Sequence, residues 1–285
     1  MAGKVWTIGE IVKWSEGFFE GRGAETPRLD AEVMLSFLLG VARIYLYVHF
    51  DQPLTEGELS RYREMVKRRA AGEPVAYIVG RKEFMGLTFK VTSDVLVPRP
   101  DTETLVTAVI ERLKDRGGAK IADIGAGSGA VALSLAEYLP EVFLTAVDIS
   151  REALKVAREN AEKLGFSERV EFREGDLLAP LEGETFDAIV SNPPYIPRGE
   201  TESLPSEVKA EPRLALDGGE DGLDFYRRLL KESGGLLREE GFLAVECGDG
   251  QSGRILEIAK GGAFSEPKMY RDLAGKERVM IFDKK

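Results

Sequence analysis

The spacing of apolar residues changes twice along the chain. Over the first 70 residues they recur every three or four positions, the period of a helix with one buried side. Ile8, Ile11, Val12, Trp14 and Phe18 mark a first helix. A Thr7/Glu10 capping box opens it, and Gly21 and Gly23 close it. Pro27 lies just before a second helix over residues 29–39, and residues 44–50 fit either a short helix or a strand. Thr55 and Glu58 open another helix that runs to about Ala71 and stops at Gly72. The pattern then turns to β. Residues 75–80 and 84–91 read as β-rich, with Gly86 marking a turn inside the second run. After the proline-flanked segment Val97-Pro98-Arg99-Pro100, an acidic start opens a helix through about Arg116.

From Lys120 onward short apolar runs alternate with amphipathic stretches. Strands are predicted at 120–124, 142–147, 170–173, 186–190 and 241–246, with others near 263–269 and 278–282. Helices are predicted at 130–138, 151–164, 223–238 and 251–259. Such alternation implies a seven-stranded, mostly parallel sheet covered by helices on both faces. The expected organisation is a helical domain over 1–75, a β-hairpin linker over 76–96 and an α/β domain over 97–285. Residues 197–222 are long and irregular, which in a compact domain marks function or disorder.

Two strand ends carry candidate chemistry. The run Phe186-Asp187-Ala188-Ile189-Val190-Ser191 ends in Asn192-Pro193-Pro194-Tyr195. Proline cannot donate to a ladder and bars helical geometry just before it, so these residues form a rigid loop at the carboxyl end of a strand. Open α/β sheets bind their ligands at that edge. Upstream, Ile121-Ala122-Asp123-Ile124 runs into Gly125-Ala126-Gly127-Ser128-Gly129. Glycines allow a tight turn and close approach of a ligand, and the following helix offers unpaired N–H groups. Asp148 ends the next strand, where a carboxylate accepts ribose hydroxyls. Asp176, followed by Leu177, closes a third and is placed for an adenine amino group, while Asp123 could receive an ammonium group or a water. Nicotinamide and S-adenosylmethionine cofactors share this arrangement. Three acidic residues at successive strand ends suit a cationic sulfonium better than a diphosphate. The expected cofactor set is therefore Asp123, Gly125, Gly127, Gly129, Asp148, Asp176, Leu177 and Asn192.

The loop chemistry follows from its acceptors. An amide or aromatic amine is a poor methyl acceptor because its lone pair is delocalised. The Asn192 side-chain carbonyl and the Pro193 backbone carbonyl can hold its two N–H bonds and favour positive charge developing on nitrogen. Pro193 and Pro194 pre-set that geometry, and Tyr195 offers a flat face to a planar group. No strong general base is evident, and none is demanded.

Composition narrows the field. The chain has 285 residues and a net charge of -10, so it does not advertise a broad grip on nucleic acid. Cys247 is the only cysteine and His49 the only histidine, which removes a disulfide framework and a two-histidine zinc site. His49 in an apolar run reads as a core or boundary residue. No run of membrane length and no signal-peptide pattern is present, so a soluble cytoplasmic protein is expected. Arg61, Arg63, Lys67, Arg68 and Arg69 read first as a solvated helix face, second as a contact patch for an acidic partner. Arg99 reads as a surface charge, a brace for the pocket or the partner of a carboxylate.

Taken together these motifs resemble the protein-(glutamine-N5) methyltransferases that modify peptide chain release factors, the HemK/PrmC family. The resemblance covers nearly the whole chain. It is carried by Pro98-Arg99-Pro100-Asp101-Thr102-Glu103, Asp123-Ile124-Gly125-Ala126-Gly127-Ser128-Gly129, Asn192-Pro193-Pro194-Tyr195-Ile196-Pro197, Glu211-Pro212, the 216–223 region and Arg271-Asp272-Leu273-Ala274-Gly275. It implies a class I S-adenosylmethionine-dependent methyltransferase with a Rossmann-like seven-stranded sheet behind a small all-helical domain and a β-hairpin bridge. It implies methylation of the glutamine in the release factor's Gly-Gly-Gln loop, giving N5-methylglutamine and S-adenosylhomocysteine. By resemblance, Asn192 and the Pro193 carbonyl hold the amide and Tyr195 packs against it. Gly125, Gly127 and Asp148 contact the cofactor. Phe84 helps close the site from the hairpin, with Arg99 nearby. The front domain docks another region of the release factor. A monomer without stable nucleic-acid binding is expected. Asn-Pro-Pro-Tyr is shared with adenine and some guanine methyltransferases, so a methyltransferase acting on ribosomal RNA or DNA is the first rival. A nicotinamide-dependent oxidoreductase and a non-enzymatic cofactor-binding module are the others.

Overall fold

A computed structural model describes residues 5–285. The chain forms two compact units, one of residues up to Gly80 together with Pro205–Ala210, the other of Arg81–Leu204 and Glu211–Lys285.

The first unit is helical. Its elements are α1 (Ile8–Glu20), α2 (Pro27–Leu39), α3 (Arg43–Val48), α4 (Glu56–Ala70) and α5 (Val75–Val79). Both expected capping boxes are present, Thr7 with Glu10 and Thr55 with Glu58, each of a kind that contributes about 1 kcal/mol. The core gathers Ile8, Phe19, Met34, Leu35, Tyr62 and Val66, and the buried Tyr62 hydroxyl donates to the Ala31 carbonyl at 3.2 Å. The ambiguous stretch 44–50 is helical in α3. His49 caps that helix and stacks on Tyr45 with ring centroids 3.8 Å apart. Residues 75–80 are not β. Pro74 sits at the N-cap and left-handed Gly80 at the C-cap, and between them a short helix buries Ile78 and Val79 in the helical core. Local β-branched content lost to tertiary packing there. Arg69 also departs from the solvated face expected for it. It is buried and pairs with Asp30 and Glu207, each at 2.7 Å.

The second unit opens with an antiparallel hairpin, β1 (Arg81–Phe84) and β2 (Leu87–Lys90), turning at Met85 and Gly86. The hairpin is bound into this unit. The Lys90 N–H donates to Asn160 Oδ1 at 2.7 Å, the Met85 N–H to Glu103 Oε1 at 2.8 Å, and the Tyr138 hydroxyl to the Met85 carbonyl at 3.0 Å. A single 3₁₀ turn, Pro100–Thr102, leads into α6 (Glu103–Leu113). Then follow β3 (Lys120–Ile124), α7 (Ala130–Tyr138), β4 (Phe143–Asp148), α8 (Arg151–Leu164), β5 (Val170–Glu174) and β6 (Phe186–Ser191). The connection after β6 contains α9 (Ser206–Lys209). The chain continues through α10 (Asp224–Glu232), β7 (Leu237–Glu246), α11 (Ser252–Ala259), β8 (Lys268–Arg271) and β9 (Glu277–Asp283).

Seven strands form one sheet in the order β5-β4-β3-β6-β7-β9-β8. The first five in that order are parallel, while β9 runs antiparallel to β7 and β8 antiparallel to β9. Apolar layers cover the two faces of the sheet, one including Leu105, Val109 and Leu133, the other Leu229, Leu243 and Phe282. The helix expected over 223–238 stops at Glu232, because Ser233-Gly234-Gly235 tightens into a 3₁₀ turn. Strand β7 then starts at Leu237 and carries a register irregularity with Glu240 at φ 62°. Strand β8 begins later than expected, at Lys268.

The chain order reverses at β3. Its neighbours are β4 on one side and β6 on the other. A crevice forms at such a switch point, outside the carboxyl ends of the strands. Ile124 pairs with Ser191, so the glycine turn and the Asn-Pro-Pro-Tyr loop leave the sheet side by side.

Candidate active site

The glycine turn is built around Asp148. Gly125, Gly127 and Gly129 all have positive φ, at 79°, 54° and 80°, which other residues adopt only with strain. The Gly125 and Ala126 N–H groups donate to the Val147 carbonyl at 2.9 and 3.0 Å. The Gly127 N–H donates to Asp148 Oδ2 and the Ser150 N–H to Asp148 Oδ1, each at 2.8 Å. Burial raises the Asp148 pKa, and these backbone donors oppose the rise.

A cavity of about 250 Å³ opens beside this turn. Gly125, Gly127, Asp148, Asp176, Leu177, Asn192, Pro193 and Pro194 line it, joined by residues that pattern reading did not single out, notably Ile149, Phe225 and Arg228. Asp176 meets Arg228 in a two-pronged ion pair, both contacts at 2.9 Å. Only Leu177, with φ 50° just after the Asp, hints at a special turn there.

Other expected site residues lie outside the cavity lining. Gly129 is the N-cap of α7. Phe84 is 2% exposed and meets Phe89 edge-on in the core of the hairpin. Arg99 finds its carboxylate in Glu211, which also accepts the Val97 N–H at 2.9 Å. Tyr195 packs against one apolar layer, and its backbone carbonyl accepts from Gln251 Nε2 at 2.8 Å. Burial pushes its phenol up to about 12. Asp123 is 1% exposed and accepts the Ala132 N–H at 3.1 Å. That bond ties the end of β3 to α7. Burial first, then the nearby Asp148 charge, pushes the Asp123 carboxyl up to about 7.

That shift gives a test. A carboxyl with a folded pKa above its unfolded value near 3.8 binds its proton more tightly in the native state. Stability therefore falls as pH rises from about 4 through 7. Over that window the loss is on the order of 4 kcal/mol at about 1.4 kcal/mol per pH unit. Asp123→Asn removes it, so the melting temperature of the variant should gain on the native protein between pH 5 and pH 8. Parallel pH curves would show that Asp123 ionises at an ordinary pKa.

Asn192 has the most specific geometry. Its Nδ2 donates to Thr102 Oγ1 at 3.0 Å, which leaves Oδ1 as an acceptor. Beneath it, Ser191 Oγ donates to the Ile124 carbonyl at 2.7 Å and ties the loop's root to β3.

The family model described as the PrmC N-terminal domain matches residues 10–80, and the methyltransferase small domain matches residues 101–220. The release factor glutamine methyltransferase of Moorella thermoacetica is 49% identical over 260 residues, 91% of this chain and 92% of that protein. The chain belongs to the release factor glutamine methyltransferase family. The enzyme of that name from Geobacter sulfurreducens is 44% identical over 278 residues, covering 97% of this chain and 96% of its own. A methyltransferase from Pyrococcus furiosus superposes with a TM-score of 0.51 at 21% identity, over 81% of this chain and 99% of that one. This likeness shows the fold, that of the class I Rossmann-like methyltransferases. Family membership makes the protein an S-adenosylmethionine-dependent methyltransferase. Among the described residues, no helix is long and apolar enough to cross a membrane.

Proposed function

We propose that the protein transfers a methyl group from S-adenosylmethionine to the side-chain amide nitrogen of the glutamine in the Gly-Gly-Gln loop of class 1 peptide chain release factors. The products are N5-methylglutamine and S-adenosylhomocysteine. The observation that carries this reading is Asn192, whose Nδ2 is committed to Thr102 and whose Oδ1 is left to accept an N–H. The close relatives named above support the substrate.

The residues present fit the cofactor. The crevice offers a glycine turn, the carboxylates of Asp148 and Asp176, and apolar surface from Ile149 and Leu177. Asp148 would accept ribose hydroxyls with lone pairs left over from Gly127 and Ser150. Asp176, steadied by Arg228, and Leu177 would border the adenine. The cofactor supplies an electrophilic methyl on a sulfonium. The chain supplies alignment. Asn192 Oδ1 and the Pro193 carbonyl hold the two amide N–H bonds and favour charge developing on nitrogen. Pro194 keeps the backbone stiff, and Tyr195 braces the planar acceptor's end of the slot. A proton leaves the product nitrogen afterwards, to solvent.

The helical unit would dock a second region of the release factor, so that binding energy far from the reacting atom selects one glutamine among many. We expect a cytoplasmic monomer with no stable hold on nucleic acid, in keeping with its net charge of -10. Mass spectrometry of a purified bacterial release factor after incubation with the protein and S-adenosylmethionine should show a gain of about 14 Da, one methyl for one hydrogen, on the Gly-Gly-Gln glutamine. No gain on the factor, with methylation of ribosomal RNA in its place, would transfer the activity to the adenine reading.

A further inference from the structure

The segment Arg271-Asp272-Leu273-Ala274-Gly275 has no part in the site described above. It carries the chain from β8 into β9. Leu273 at its tip is 110% exposed, whereas the next most exposed large apolar side chains, Ile44 and Leu214, reach 69%. A single exposed leucine is ordinary. This one is held out by a fixed turn. The Asp272 N–H donates to the Lys276 carbonyl and the Gly275 N–H to the Asp272 carbonyl, each at 2.9 Å. Asp272 Oδ1 accepts the Ala274 and Lys276 N–H groups, again at 2.9 Å each. Arg278, only 7% exposed, reaches Asp272 Oδ2 with Nη2 at 3.0 Å and Asp101 Oδ2 with the same nitrogen at 3.1 Å. Asp101 immediately precedes Thr102, which accepts from Asn192 Nδ2. The tip is thus tied to the turn that holds the amide-binding side chain.

Its place follows from the register. Ser191 pairs with Val245, and Glu246, the last residue of β7, pairs with Val279 of β9. Asn192 therefore lies level with Val279, at the carboxyl edge of the parallel strands. From Val279 the chain runs outward past that edge. Arg278, Glu277 and Lys276, at about 3.3 Å each, lift the tip roughly 10 Å above the level of Asn192. Two strand spacings of about 4.8 Å set it roughly 10 Å to the side of β6, so Leu273 stands about 14 Å from Asn192. An ordinary protein interface covers roughly 800 Å² on each partner, a patch about 16 Å in radius. A folded protein that lowers a loop into the slot accordingly reaches Leu273. The charges around the tip are already paired, Arg271 with Glu277 at 2.7 Å and Lys276 with Asp249 at 2.6 Å. What the tip leaves to a partner is apolar. We propose that Leu273 is a docking knob for the release factor and enters an apolar recess beside its Gly-Gly-Gln loop. The inference rests on the release factor as substrate and deepens that reading with a contact outside the slot.

Equilibrium binding of a purified bacterial release factor to the full-length protein tests the knob without turnover. Leu273→Asp should weaken binding at least about 10-fold, the scale of one leucine kept from burial. Leu273→Met, apolar and of similar volume, should bind within about twofold of the native protein. Because the contact is apolar, the loss should be the same at low and at high salt. The control is Phe143→Asp. Phe143 is 60% exposed but begins β4, at the opposite edge of the sheet, and its variant should bind as the native protein does. In methylation, Leu273→Asp should raise KM for the release factor by the factor lost in binding, with kcat and affinity for S-adenosylmethionine unchanged. Native-like binding by Leu273→Asp, or an equal loss in Phe143→Asp, would overturn the knob. So would a fall in kcat with KM unchanged, which would make the turn a support of the slot alone. A native protein that binds the release factor without methylating it would overturn the proposed reaction and leave the binding comparison to judge Leu273. A native protein that does not bind it would overturn both.

Discussion

Asn192→Ala should lower kcat for release-factor methylation by about 10³-fold while affinity for S-adenosylmethionine stays within about threefold. The expected size follows from the weakness of the acceptor. An amide nitrogen becomes a useful nucleophile only as positive charge on it is stabilised, and a fixed acceptor in a partly water-excluded slot is worth several kcal/mol there. Asn192 Oδ1 is such an acceptor, held by the bond from Nδ2 to Thr102. Cofactor affinity should survive because the glycine turn is organised by Asp148 and Val147, not by the Asn192 side chain. Equilibrium binding and single-turnover rates on the same preparation separate the two effects. Loss of both together would make Asn192 architectural and remove the assigned role.

What was legible in the sequence was local. Two prolines after a buried strand and three glycines after another impose their backbone wherever they fall, so both loops could be placed before any contact was known. The parallel sheet was also legible, because strands buried on both faces read as apolar runs. What was missed depended on register between distant segments. Thr102 and Asn192 lie 90 positions apart. They meet only because the turn before α6 reaches the carboxyl end of β6. Asp123 and Phe84 show the converse. The place of Asp123 before the glycine turn suggested a ligand contact and the family resemblance put Phe84 at the site, and both lie outside the cavity lining with partners of their own, Ala132 for one and Phe89 for the other. The helix at Val75–Val79 was missed for the same reason, since its caps and a tertiary core outweighed β propensity.

Gly218→Ala should cost about 10²-fold in kcat, although Gly218 does not itself line the cavity. A Cβ at Gly218 would stand 2.8 Å from the Pro194 carbonyl oxygen, 2.8 Å from Tyr195 Cα and 2.9 Å from Gly222 Cα. All three are backbone atoms, so no side chain can swing aside. The segment is also fastened to the loop. The Gly218 N–H donates to the Ile196 carbonyl at 2.8 Å, the Ile196 N–H to the Leu216 carbonyl at 3.0 Å, and Ile196 forms a bridge with Asp217. Relief must therefore come from moving the Asn-Pro-Pro-Tyr backbone itself, by several tenths of an ångström, which shifts the Pro193 carbonyl and Asn192 together. Overpacking of this kind also costs roughly 1–3 kcal/mol of stability. A melting curve should register that loss without abolishing the fold. Gly199→Ala is the matched control, because it lies in the same connection and its Cβ meets nothing within 4 Å. If Gly218→Ala methylates as fast as Gly199→Ala while melting lower, the loop tolerates displacement. Rigid presentation of the two acceptors would then not be what the prolines are for. If its rate falls with cofactor affinity intact, the clash has acted on the reacting geometry alone, and the long connection after β6 is part of the machinery that holds the amide.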